Sequence, residues 1–169
     1  NVAPIDMHSL LILATLPALA LAACTIRGGN GAIARIKVRD GIVDIDFINT
    51  RIANNQWTGI TFGPDMNDLE IYAFSVQSGQ VRAQSGASRG YESPSLDGNG
   101  SVSTRDASYQ SGTLHVRFTR PLGGNGPRQH KLESCETVSL VGASPLEGGE
   151  LGMHTSRPYQ KEICFSECR

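Results

Sequence analysis

Downstream of residue 23, no stretch of 12 or more residues carries apolar side chains at the i, i+3, i+4, i+7 spacing of a helix face. The chain offers instead short β-branched and aromatic runs separated by turn signals at intervals of about 8–12 residues. Residues 32–38 and 42–48 flank Arg39-Asp40-Gly41, whose Asp-Gly pair favours a tight hairpin. Residues 56–62 end at Gly63-Pro64-Asp65, and 69–77 and 80–84 flank Ser78-Gly79. Residues 101–109 and 113–119 bracket Gln110-Ser111-Gly112, and 136–141 read as the last clear strand. In 113–119, period-2 alternation turns Leu114, Val116 and Phe118 inward and His115 and Arg117 to water. The Gly/Ser/Pro-rich segments 85–100 and 123–129 read as surface connections. The expected fold is an all-β, antiparallel, immunoglobulin-like β-sandwich forming one domain over residues 24–169.

Charge narrows the functions open to such a sandwich. The 169 residues carry 15 Lys and Arg against 16 Asp and Glu, so no basic excess exists to neutralise phosphates, and nucleic acid is not an expected partner. Only 18% of residues are charged and 39% are hydrophobic, a balance that supports a packed core.

Residues 9–23, Ser-Leu-Leu-Ile-Leu-Ala-Thr-Leu-Pro-Ala-Leu-Ala-Leu-Ala-Ala, form an uncharged apolar run ending in two A-x-A patterns. The run is shorter than the ~20 residues a membrane span needs. With Met7 as initiator it reads as a secretory signal, so the expected product is secreted and extracellular, with no membrane span. Two alternatives are a lipoprotein box ending at Cys24 and a retained buried strand.

Behind a signal peptide, Cys24, Cys135, Cys164 and Cys168 suggest two disulfides, with three pairings open. A zinc site from His154, Cys164 and Cys168 is the competing use of the same side chains. Asn99-Gly100-Ser101 is a glycosylation sequon within the 85–100 connection.

Nucleophile-elbow, zincin, Walker and dinucleotide motifs are all missing, so catalytic turnover is not expected. Gly28-Gly29-Asn30-Gly31 lacks the Lys-Ser/Thr of a phosphate loop and reads as a flexible lead-in. Asp44 and Asp46 share one face of a strand, most simply a solvated one.

Sharper information comes from the order of four segments. Trp57-Thr58-Gly59-Ile60-Thr61-Phe62-Gly63-Pro64-Asp65-Met66 places the single Trp on a strand leading to a methionine turn. Gly90-Tyr91-Glu92-Ser93-Pro94-Ser95-Leu96-Asp97 follows, then Phe118-Thr119-Arg120-Pro121-Leu122, then Gly152-Met153-His154-Thr155-Ser156-Arg157-Pro158. In this order the chain resembles the DOMON family across about residues 32–158. Its cysteine-containing tail is similar to that of small secreted single-domain members from invertebrates.

The resemblance implies a β-sandwich that binds haem b between one Met and one His, at positions matching Met66 and His154. Met153 and His130 are the competing donors. A thioether with a neutral imidazole gives six-coordinate iron suited to electron transfer. A redox partner would be a separate extracellular molecule. Phe62, Ile60 and Tyr91 are expected to wall the group, with Trp57 in the core beneath. Arg120 is expected to pair with an acid or with backbone carbonyls. Relatives that bind sugar imply the alternative: a carbohydrate- or protein-binding sandwich of an extracellular coat or matrix, in which Tyr91, Tyr109 and Asn125 carry the binding.

Overall fold

A computed structural model describes residues 23–98 and 100–169; residues 9–22 of the proposed leader and the sequon residue Asn99 lie outside the described residues. Among the described residues, twelve strands form two antiparallel sheets, with one short 3-10 turn at Phe165–Glu167. The first sheet runs β1 (Cys24–Arg27), β2 (Ala32–Arg39), β3 (Ile42–Asn49), β9 (Thr113–Pro121), β8 (Ser103–Gln110). The second runs β11 (Glu150–Leu151), β10 (Cys135–Glu147), β4 (Gln56–Phe62), β5 (Leu69–Gln77), β6 (Gln80–Ser88), β7 (Ser95–Leu96), and β12 (Tyr159–Cys164) also pairs with β10.

Turn chemistry sets the hairpins. Asp40-Gly41, Ser78-Gly79 and Ser111-Gly112 each have positive φ at both residues, the conformation that matches the right-handed twist of the strands they join. The first sheet then buries every second residue: Val43, Ile45 and Phe47 on β3, Leu114, Val116 and Phe118 on β9. From the second sheet Ile60, Phe62, Tyr72, Phe74 and Val76 meet them. Ring contacts cross the interior, Phe47 to Phe74 at 5.0 Å and Tyr72 to Phe118 at 4.7 Å between centroids. Burial of apolar area on this scale, at about 25 cal/mol per Å², holds the two sheets together.

Three segments differ from the sequence reading. Residues 85–88 continue β6, because backbone pairing with β5 and β7 gives this Gly/Ser stretch a ladder that composition does not announce. Gly86 makes that possible, since a Cβ there would stand 2.5 Å from the Ser95 carbonyl oxygen. The strand beginning near 136 is not the last. A bulge between Val141 and Ser144 lets β10 run on to Glu147, and two further strands follow it. The Gly28–Gly31 segment is a turn between paired strands β1 and β2, not a lead-in.

The cysteines are all paired, Cys24 with Cys168 and Cys135 with Cys164. That removes Cys164 and Cys168 from any zinc site and the Cys24 thiol from lipidation. No group of three or more His, Cys, Asp or Glu among the described residues is placed to hold a metal. No helix among them is long and apolar enough to cross a membrane.

Candidate functional site

Strand β4 is buried on both faces, and the two faces do different things. Thr58, Ile60 and Phe62 point between the sheets, whereas Trp57, Gly59 and Thr61 point outward. On β5 the same alternation sends Leu69, Ile71 and Ala73 outward. With Val141 of β10 these residues form a second apolar cluster, separate from the core, against which Met66, Leu146 and Leu151 pack. The outer face is therefore not the usual polar one. Phe62 and Ile60, expected as walls of a site, sit at 0% exposure in the core, and Trp57, expected beneath the site, lies on its face. Period 2 separates these two sets; the sheet covering β4 decides which set is inside.

Two connections frame this face from opposite ends of β4. Beyond Phe62 lies the Gly63–Asp68 turn carrying Met66. Gly63 has φ 128°, and a Cβ there would fall 2.0 Å from the Asp68 carbonyl oxygen. Its N–H donates to the Thr137 carbonyl (3.0 Å), Asn67 N–H donates to the Asp65 carboxylate (2.8 Å), and Gly90 N–H donates to the Met66 carbonyl (2.9 Å). The last of these brings the loop of Tyr91, 84% exposed, beside the Met66 turn. Beyond Trp57 lies the segment carrying His154. The Trp57 indole N–H donates to the Gly152 carbonyl (3.0 Å), and Thr155 N–H donates to the Ser144 hydroxyl (3.3 Å).

His154 is half-buried, and its Nδ1 stands 3.0 Å from the Ser156 carbonyl oxygen. A carbonyl only accepts, so Nδ1 donates this bond, and Nε2 has no partner among the described residues. The competing donors are placed otherwise. His130 has Glu136 3.0 Å from Nδ1 and Asp68 3.5 Å from Nε2, and Met153 is 82% exposed. His115 lies on the outer face of the first sheet, bonded to Asp46. There Arg35 and Arg117 also flank Asp46, and Arg105 pairs with Asp44 at 3.0 Å, so the two aspartates are neutralised by cations.

Beneath the methionine turn is a buried ion pair. Arg120 Nη1 donates to Glu70 Oε2 at 2.6 Å, with both side chains 1% exposed. Arg120 also donates to the His130 and Pro121 carbonyls, at 2.6 and 3.0 Å, and its guanidinium lies 5.5 Å from the Phe62 ring centroid. These are the acid and the carbonyls expected of Arg120. Tyr72 Oη donates to Glu70 Oε1 at 2.8 Å and His130 N–H to Oε2 at 2.8 Å. Burial pushes the Glu70 carboxyl up, opposed by the Arg120 charge; burial and then Glu70 push the Tyr72 phenol up. Sequence reading missed Glu70 and the Ser156 carbonyl. Glu70 alone left a signal, an acid next to β-branched and aromatic residues in a strand apolar on both faces.

Comparison with known proteins agrees with this architecture. The DOMON domain profile matches residues 34–144. DOMON domain-containing protein CBG21753 of Caenorhabditis briggsae is 30% identical over 96% of this chain and 99% of its own length. DOMON domain-containing protein Y73F4A.2 of Caenorhabditis elegans is 31% identical over 75% of this chain and 77% of its own. Among solved structures, the cytochrome domain of Myriococcum thermophilum cellobiose dehydrogenase superposes with TM-score 0.63 at 11% identity, covering 86% of this chain and 83% of that one. The cytochrome b domain of Coprinopsis cinerea pyranose dehydrogenase gives 0.60 at 12% identity, with the same coverage. At such identities the likeness is one of fold. The profile match and the nematode relatives carry the membership: the chain belongs to the DOMON domain family.

Proposed function

We propose that this protein is a secreted haem-b-binding module, with Met66 and His154 as axial ligands, that passes single electrons to a separate extracellular partner and has no catalytic turnover of its own. The observation that carries the reading is His154. Its Nδ1–H is committed to the Ser156 carbonyl, so Nε2 is the nitrogen open to an incoming metal. Met66 supports it, packed on the outer apolar cluster from the opposite end of β4. Met66 and His154 would hold the haem iron from the two connections that frame this face, and the group would supply a one-electron couple there. The chain's part is to orient the two donors and to exclude water with Trp57, Leu69 and Ile71. The two similar cytochrome domains support the cofactor class, and the two disulfides suit an oxidising compartment.

Titration of the purified protein with haemin tests this. A sharp Soret band, with α and β bands on reduction, is expected. Met66→Ala or His154→Ala should abolish the six-coordinate spectrum while leaving the far-UV circular dichroism intact. No Soret change in the wild type overturns the haem reading and favours the carbohydrate- or protein-binding one. Of the residues that reading invokes, Tyr109 packs against the core, with its hydroxyl 3.4 Å from the Ile52 carbonyl, while Tyr91 and Asn125 are exposed.

A further inference from the structure

We propose that the outer face of the first sheet docks a sulfated polysaccharide, along a track of cations set on β2. Haem plays no part in it, since this sheet lies opposite the one that Met66 and His154 frame. Strand alternation decides what the face holds. On β2 it turns Ala32, Ala34 and Ile36 into the core and leaves Arg35, Lys37 and Arg39 outside, at every second residue and so about 6.8 Å apart. Arg27 extends the track from β1, where it stands opposite Ile33. Arg117 of β9 and Arg105 of β8 flank it across the sheet. The chain as a whole is close to neutral, yet this face gathers six of its 15 Lys and Arg. Of its 16 Asp and Glu, the same strands bring only Asp44, Asp46 and Asp106 there. Composition cancels the charges; folding separates them.

Most of that charge is open to a ligand. Arg27, Lys37 and Arg39 have no carboxylate partner among the described residues. Arg35 and Arg117 approach the Asp46 carboxylate only to 3.6 and 3.8 Å, beyond hydrogen-bond reach. Arg105 pairs with Asp44 at 3.0 Å, but its side chain is 63% exposed, and pairs so exposed are weak. Arg35, Lys37, Arg105 and Arg117 line a shallow depression around the two aspartates. Those carboxylates repel a single small anion, so the face suits a chain that meets the cations of the track in series. Chemistry then selects the chain. A protein partner is held by aromatic or aliphatic anchors, and the one exposed large apolar side chain on this face among the described residues is Ile42, at the end of β3. Five of the six cations are Arg, whose planar forks pair with oxyanions. A carboxylated polysaccharide such as hyaluronan carries its charge on every second sugar, sparser than the track. A sulfated one carries at least one charge per sugar and matches it. The two disulfides suit the compartment where such polymers occur.

The test is heparin binding by the purified protein without haem, read as dissociation constants over a series of salt concentrations, with hyaluronan and poly-L-glutamate as comparison polyanions. The wild type is expected to bind heparin about tenfold more tightly than either. Arg27→Gln, Lys37→Gln and Arg39→Gln together should weaken heparin binding by about tenfold. They should also flatten the dependence of log Kd on log salt by about two, at ~0.7 per lost contact for a flexible polyanion. Lys131→Gln, Arg157→Gln and Lys161→Gln remove the same charge from exposed positions outside this sheet and should leave the affinity within about twofold. A wild type that heparin does not retain overturns the proposal, as does an equal loss in the two triple variants, which would reflect net charge alone. Hyaluronan binding as tightly as heparin overturns the choice of sulfate, and poly-L-glutamate binding as tightly assigns the face to an acidic protein instead. None of these results bears on the haem titration, so the two readings stand or fall separately.

Discussion

At the scale of single residues, the Glu70–Arg120 pair has the most energy at stake. Two charges taken out of water recover their hydration cost only through close geometry, and here the carboxylate receives Arg120, Tyr72 and the His130 N–H. Arg120→Ala would strand the carboxylate and should cost about 3–5 kcal/mol in denaturant unfolding. A joint Glu70→Leu, Arg120→Met replacement should be close to neutral or stabilising, since it removes both desolvation costs together. pH separates the two variants from the wild type. Burial raises the Glu70 pKa above its ordinary 4.5, so the folded state holds this proton more tightly than the unfolded chain. The contribution of the group is then fully present below that value and is lost as pH rises through the folded pKa. The stability of the double variant relative to wild type should therefore grow as pH rises above the ordinary carboxyl value of 4.5; an invariant difference would refute the shift.

Among elements, the β4–β5 turn links fold to site. Its course depends on Gly63, which occupies a backbone region open chiefly to glycine and leaves no room for a Cβ against the Asp68 carbonyl. Gly63→Ala should cost about 1–3 kcal/mol and displace Met66. The measurement is paired: a lowered denaturation midpoint, together with a Soret spectrum shifted toward five-coordinate iron. A variant as stable as wild type would show that the turn tolerates another path. One edge of β10 pairs with β4, with a bulge between Val141 and Ser144, while the other edge pairs with β12 over Cys135–Leu140 and with β11 at Leu146 and Glu147. The Cys135–Cys164 bridge then ties directly opposed residues of β10 and the polar edge strand β12.

For the whole molecule, the Cys24–Cys168 bridge joins the first strand to the 3-10 turn after the last one, across a sequence separation of 144. Closure of a loop this long restricts the unfolded chain by about 4–5 kcal/mol in the entropic treatment. Cys24→Ser with Cys168→Ser should lower the unfolding temperature more than Cys135→Ser with Cys164→Ser, which removes a loop of separation 29. Thermal scans of the two double variants check the order, and an inverted order would mean that β12 depends on its bridge more than the entropic view allows.

Local signals in the sequence determined the strands and hairpins, because period-2 alternation and the Asp-Gly and Ser-Gly pairs act within a few residues of themselves. Met66 and His154 came as candidates from the resemblance to the DOMON family, which rests on the order of four segments along the chain. Tertiary structure decided the rest. Alternation along Trp57 to Phe62 defines two faces, but both are apolar or small, so only the opposing sheet could say which is core. Four cysteines allow three pairings until β1, the 3-10 turn, β10 and β12 are brought together. The burial of the Thr61 hydroxyl and of Glu70 against Arg120 likewise arises from groups distant in the chain. No window of neighbouring residues contains them.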